Sequence, residues 1–149
     1  MLYFDTSFLV PLFLPESTSE KVERFLRRKR TAPLATSHWT LVEFASTLAR
    51  EVRMGSLTHK VAIATHARFA EIAADTFILL APSAADFDLA NRFLLRRKIG
   101  LRAGDALHLA IAANNRAMAI YSLDRRLLAA GRRLGLKARV GVRIGTGAP

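Results

Sequence analysis

The chain has 149 residues, enough for one domain with a proper hydrophobic core and too few for two of ordinary size. About half of it is apolar, which excludes a disordered chain, and the absence of cysteine excludes disulfides, thiolate zinc sites and a cysteine nucleophile. The formal charge of +11, from 23 Lys and Arg against 12 Asp and Glu, points to a polyanionic partner, with a generally Arg-rich proteome as the plain alternative.

Leu2-Tyr3-Phe4 is a short apolar run with β-prone aromatics, read as a buried strand, and it ends in Asp5 followed by the hydroxyls of Thr6 and Ser7. An acid at the carboxyl end of a strand stands where open α/β sheets bind ligands; it equally suits a cap for the next helix. Residues 6–14 read as a short helical or looped apolar connection. They are too short to span a membrane, and Pro11 interrupts them. The N-terminus has no basic start and carries Asp5 in its apolar run, so no signal peptide is expected and the protein reads as cytoplasmic.

Ser17 or Thr18 caps a helix that runs through Val22, Phe25 and Leu26 into the basic run Arg27-Arg28-Lys29-Arg30. A weak strand at 33–37 leads to a helix over 40–54, with Leu41, Phe44, Ala45, Leu48 and Val52 on its apolar face and Glu43 in its first turn. A helix over 58–74 presents Val61, Ala64, Ala67, Phe69 and Ile72, and a strand follows at 77–80. Ser83 and Asp86 cap a helix over 83–99 that holds Phe87, Leu89, Ala90, Phe93 and Leu94 inside and ends in Arg96-Arg97-Lys98 before Gly100. A helix over 106–116, a strand over 117–121 ending in Ser122-Leu123-Asp124, a short helix over 125–131 and a possible fifth strand over 135–140 complete the pattern. Residues 1–140 read as one unit and 141–149 as a loose tail. Strands separated by helices throughout predict an α/β fold, a parallel sheet with helices on both faces.

The acids are few enough for their positions to matter. Between Leu89 and the C-terminus only Asp105 and Asp124 occur, each where the chain hands over to a helix in a basic region. Asp124 repeats the context of Asp5, and adjacent parallel strands would set the two side by side. Asp105 and Glu43, near two helix starts, could reach the same edge. Clustered carboxylates repel one another unless a cation sits among them, and Mg²⁺ or Mn²⁺ take oxygen ligands of this kind. Acids for metal within cations for phosphate fit a nuclease, although each acid also has a capping explanation.

Leu2-Tyr3-Phe4-Asp5-Thr6-Ser7, the helical Glu43, Asp105-Ala106-Leu107-His108-Leu109-Ala110 and Ser122-Leu123-Asp124 together resemble the ordered motifs of PIN-domain ribonucleases, and most closely those of VapC-type toxins of bacterial toxin–antitoxin pairs. The resemblance covers residues 1–140. It implies a three-layer α/β/α sandwich around a parallel sheet of about five strands, endoribonuclease activity dependent on Mg²⁺ or Mn²⁺, a homodimer and a cognate antitoxin that blocks the site. By motif position Asp5, Glu43, Asp105 and Asp124 are the metal-site carboxylates, with Asp5 and Asp124 central. Thr6, Ser7 and Ser122 match hydroxyls that orient acids or waters. Arg102, Arg125 and Arg126 flank these positions as candidates for substrate phosphate, with solvated surface as the alternative. His108, three residues after Asp105, suits a general base or ligand, and suits a packed, hydrogen-bonded histidine better. His38, His59 and His66 form no ligand pattern. Phe8, Leu9, Leu12 and Phe13 are either core or a surface for the antitoxin or a second copy. Two rivals remain: a non-catalytic RNA-binding module whose acids only cap helices, and an aspartate-based phosphotransfer domain, which lacks its usual second acid here.

Overall fold

A computed structural model describes residues 1–29, 31–96 and 99–142. Arg30, Arg97, Lys98 and residues 143–149, which include the ends of two basic runs and most of the expected tail, lie outside the described residues. The chain folds as β1 (Leu2–Phe4), α1 (Thr6–Leu9), a single 3₁₀ turn (Val10–Leu12), α2 (Ser19–Arg28), β2 (Leu34–Ser37), α3 (His38–Arg53), α4 (His59–Thr76), β3 (Ile78–Leu80), α5 (Ala84–Leu94), α6 (Ala103–Asn114), β4 (Ala119–Tyr121), α7 (Arg125–Arg133) and β5 (Ala138–Arg139). The five strands are all parallel, in the order β3-β2-β1-β4-β5. This is the three-layer α/β/α arrangement expected from the alternation of strands and helices.

Alternation along the strands sorts the core onto two faces. Leu2, Phe4, Ala119 and Tyr121 join α1 to α4 on one side, through Phe8, Val22, Phe44, Leu48 and Phe69. Tyr3, Ala35 and Ile120 join α5 to α7 on the other, through Phe93, Leu109, Ile111 and Leu127. Phe8 and Leu9 are fully buried, and Leu12 and Phe13 pack against the same core, so these four residues are core rather than a free surface. No helix among the described residues is long and apolar enough to cross a membrane.

Several details depart from the expected pattern. Val61 is 47% exposed and Phe87 52% exposed, although both were assigned to apolar faces. The buried stripe of α4 is Ala62, Phe69 and Ala73, one helix position around from the expected one, which leaves Val61 facing outward. α6 begins at Ala103, three residues earlier than expected, so Asp105 lies within its first turn. α3 begins at His38, directly on the end of β2. Thr18 stands at the start of α2 but its side chain makes no capping hydrogen bond, whereas Ser83 and Asp86 form the expected reciprocal cap.

The strand order locates the crevice. The chain steps outward from β1 to β2 to β3, then returns to the other side of β1 with β4. In doubly wound sheets this reversal opens a crevice beyond the carboxyl ends of the two central strands. Phe4 pairs with Tyr121 there, so Asp5 and the Ser122-Leu123-Asp124 turn leave the sheet side by side.

Phe44 holds α3 to the core, with its ring 4.2 Å from that of Phe69 and 5.6 Å from that of Phe13. Phe44→Ala is expected to cost about 3–5 kcal/mol of stability, read as a lowered urea midpoint at unchanged m-value. A loss below about 1 kcal/mol would show that this part of the core is not closely packed.

Candidate active site

Asp5 is 3% exposed, an unusual place for a carboxylate. Three donors hold it. Ser122 Oγ donates to Oδ2 at 2.7 Å, Phe8 N–H donates to Oδ1 at 3.0 Å, and Ser7 Oγ lies 2.9 and 3.0 Å from the two oxygens. Ser7 Oγ also accepts the backbone N–H groups of Leu123 (2.9 Å) and Asp124 (3.2 Å), and Asp124 N–H donates to Ser122 Oγ at 2.9 Å. The two strand ends are thereby stitched through hydroxyls. Burial, opposed by the charge of His108 and by these hydrogen bonds, moves the Asp5 carboxyl up from its ordinary 3.8 to about 6.

Asp124 heads α7, its Oδ1 accepting from the N–H groups of Arg126 (2.6 Å) and Leu127 (3.2 Å). Asp105, in the first turn of α6, accepts from Arg102 N–H at 3.4 Å. Burial first, and then the nearby Asp124 charge, raise the Asp105 carboxyl above its usual range. Glu43 projects from α3 toward α6. His108 Nε2 approaches its Oε2 at 2.6 Å, and Thr6 Oγ1 donates to the same oxygen. Burial pushes the Glu43 carboxyl up, but the hydrogen bond and charge of His108, with Thr6 and Trp39, outweigh it and hold the group below the usual carboxylate range. The capping role is therefore physically present for Asp5, Asp105 and Asp124, and it coexists with their convergence.

All four acids line one cleft of about 380 Å³ with Thr6, Ser7 and His108. Ser122 lies beneath it, fully buried. Arg102, Arg125 and Arg126 are exposed and do not line the cleft. Thr47 and Arg50, four and seven residues after Glu43 on the same face of α3, complete the wall as their helical spacing predicts; sequence reasoning missed Val10 and Ser46, although Ser46 follows Glu43 by three residues. It also missed Gly104. A Cβ there would lie 2.5 Å from Glu43 Oε1, so only glycine leaves room for that oxygen. Trp39 Nε1 is buried in the same small space, close enough to the Glu43 carboxylate to favour its charged form but without a well-formed hydrogen bond. His108 is 1% exposed and hydrogen-bonded, which agrees with the packed role favoured for it; His66 stacks on Phe44 and faces the Leu41 carbonyl, away from the cleft.

The donor set is all hard oxygen, with like charges crowded and two carboxyls raised, which fits a divalent cation of the Mg²⁺ or Mn²⁺ kind. Among the described residues no three His, Asp or Glu side chains close on one point as they stand. An ion here would complete its shell with water, as Mg²⁺ commonly does.

The PIN domain family model matches residues 2–133. The chain belongs to the PIN domain family. Its fold is shared with VapC20 of Mycobacterium tuberculosis, described as a sarcin–ricin loop cleaving toxin, at 20% identity and a TM-score of 0.70 over 97% of this chain and 100% of that one. It is also shared with FitAcB of Neisseria gonorrhoeae, at 17% identity and a TM-score of 0.73 over 95% and 98%. VapBC2 of Rickettsia felis, solved with a DNA fragment from its promoter, aligns at 13% identity and a TM-score of 0.69 over 93% and 98%. No curated protein sequence matches the chain. In this PIN domain the four acids, 19 to 62 residues from one to the next along the chain, share one edge of the sheet.

The raised Asp5 carboxyl has a measurable sign. Asp5 holds its proton more tightly folded than unfolded, so that proton stabilises the metal-free fold fully below about pH 4 and the contribution is lost as pH rises through about 6. That rise from 3.8 to about 6 corresponds to about 3 kcal/mol at most. Glu43, with its lowered carboxyl, acts in the opposite sense, so a comparison that isolates Asp5 is needed. In EDTA, the stability of the wild type relative to Asp5→Asn should fall as pH rises from 4 to 7. A flat difference in urea melts would show that Asp5 is not buried in the way described.

Proposed function

We propose that this PIN domain is a divalent-cation-dependent endoribonuclease, the toxin of a toxin–antitoxin pair. The observation that carries the reading is the convergence of Asp5, Glu43, Asp105 and Asp124 at the crevice of a strongly basic chain. Structural relatives described as a cleaving toxin and as a toxin–antitoxin complex, the latter from Klebsiella pneumoniae at 19% identity and a TM-score of 0.67 over 97% and 100% of the two chains, support it.

In this reading residues 1–140 form the catalytic unit. Asp5 and Asp124 are the central carboxylates toward Mg²⁺ or Mn²⁺, and Asp105 and Glu43 complete the site directly or through water. When bound, the cation supplies water activation and charge stabilisation for in-line displacement at phosphorus. The chain's own groups do the rest. Ser7 and Ser122 fix Asp5 by their hydrogen bonds, and Thr6 fixes Glu43. Arg102, Arg125 and Arg126 stand on the exposed rim, where they hold RNA phosphates away from the acids. The protein works in the cytoplasm as a homodimer, and a cognate antitoxin blocks the cleft. The alternative, a non-catalytic RNA-binding module, draws on the caps that three of the acids also form.

Purified protein incubated with total RNA should cut at discrete positions with Mg²⁺ or Mn²⁺ and not with EDTA, and Asp5→Asn should stay folded yet lose cleavage by at least about a hundredfold. Salt-sensitive RNA binding without cutting, from antitoxin-free protein, would favour the binding module. Gly104→Ala should lower the melting temperature only slightly, because the added methyl clashes with the tip of the Glu43 side chain and otherwise makes ordinary contact with the Trp39 ring at 3.5 Å. By displacing that carboxylate it should lower cleavage on the order of a hundredfold; wild-type cleavage would remove Glu43 from the working site.

A further inference from the structure

We propose that His108 is a positioning residue for Glu43, anchored through Tyr3 to a buried hydroxyl chain, and that it sets which carboxylate oxygen is turned to the cation. The inference rests on the reading of Glu43 as a cation-facing carboxylate and assigns His108 a role other than base or ligand.

Glu43 has a flexible side chain, 27% exposed, that loses rotamer freedom when it is held in one place. Left alone it would swing into the open cleft. In the structure one oxygen, Oε2, is engaged twice. Thr6 Oγ1 donates to it, and His108 Nε2 lies 2.6 Å away. A carboxylate only accepts, so this contact is an Nε2–H donating to Oε2. Oε1 is left over Gly104, where a side chain would exclude it. Two donors on one oxygen and a glycine beneath the other fix the plane of the carboxylate.

His108 can aim Glu43 only if it is itself held. Its ring is 1% exposed in the most buried stretch of α6, packed edge-on to Tyr3 at 5.8 Å between centroids. Nδ1 lies 2.8 Å from Tyr3 Oη, and Tyr3 Oη donates to Ser37 Oγ at 2.9 Å. Ser37 Oγ continues to Thr40 Oγ1 (3.4 Å), Thr40 to Thr36 (2.8 Å), and Thr36 donates to the Phe4 carbonyl at 2.9 Å. The chain begins at a cleft acid and ends on the backbone of the strand that delivers Asp5. Glu43 and Asp5, on different elements, are thus referenced to one rigid strand. A buried polar chain this long costs stability wherever it is left unsatisfied, and here each member has a partner. Metal-site carboxylates are commonly oriented by such outer partners, whose loss weakens metal binding about 10–100-fold.

The test is Mn²⁺ binding by calorimetry on the purified full chain, separate from activity. His108→Leu, which keeps the volume and removes both ring nitrogens, should weaken Mn²⁺ binding about tenfold or more. His108→Gln, whose amide can reach Oε2, should recover most of the affinity. In a Glu43→Gln background His108→Leu should change the affinity by less than about twofold, because the residue acts through Glu43. Should His108→Leu not fold, Tyr3→Phe, which deletes one hydroxyl, carries the test with a several-fold weakening. Wild-type Mn²⁺ affinity in folded His108→Leu or in Tyr3→Phe, or equal losses in the wild-type and Glu43→Gln backgrounds, would overturn the positioning role and leave the nuclease reading standing. A wild-type protein that binds no Mn²⁺ would overturn both.

Discussion

Asp5 is a carboxylate kept out of water by the aromatic core beneath it and held by Ser7, Ser122 and the Phe8 amide. That arrangement costs folding free energy whenever the group is charged and no cation is near. The remainder of the crevice is organised around the cost. The same serines that satisfy Asp5 also bind the amides of Leu123 and Asp124, so the turn that carries Asp124 is positioned by the groups that accommodate the burial of Asp5. A Ser7 or Ser122 hydroxyl is therefore both a structural tie between β1 and β4 and part of the site.

The environments of the acids differ in a way that suits division of labour. Burial raises Asp5 and Asp105, whereas His108 and Thr6 depress Glu43. Burial makes Asp5 hold a proton to higher pH than an exposed acid does, while Glu43 is held toward its ionised form.

Much of this was legible in the sequence because the chemistry coincides with secondary-structure punctuation. Apolar run, acid, helix: the pattern at Asp5 recurs at Asp124, and parallel pairing of β1 with β4 brings the two together. Asp105 and Glu43 were identifiable because helix starts are where acids gather. What could not be read is what depends on contacts distant in the chain. Tyr3 and His108 are 105 residues apart and His108 and Glu43 are 65 apart, and no periodicity announces either pair. Gly104 carries no sequence signal of its own, yet it leaves room for an oxygen on another helix. Val61 and Phe87 were misplaced because apolar periodicity identifies an amphipathic helix without saying which of two neighbouring stripes the tertiary packing selects.

The link between Ser122 and Asp5 spans 117 positions, and that between Ser7 and the Asp124 amide spans the same. The first strand made is thus completed by nearly the last. Closing so long a loop is slow and entropically costly, and until β4 and the turn after it arrive Asp5 has neither Ser122 nor Asp124 beside it. During synthesis the partial chain consequently carries an incomplete crevice, with Glu43 and Asp105 already made and Asp124 still missing. Assembly of the site is tied to completion of the sheet, a built-in delay between the making of the polypeptide and the appearance of whatever chemistry it performs.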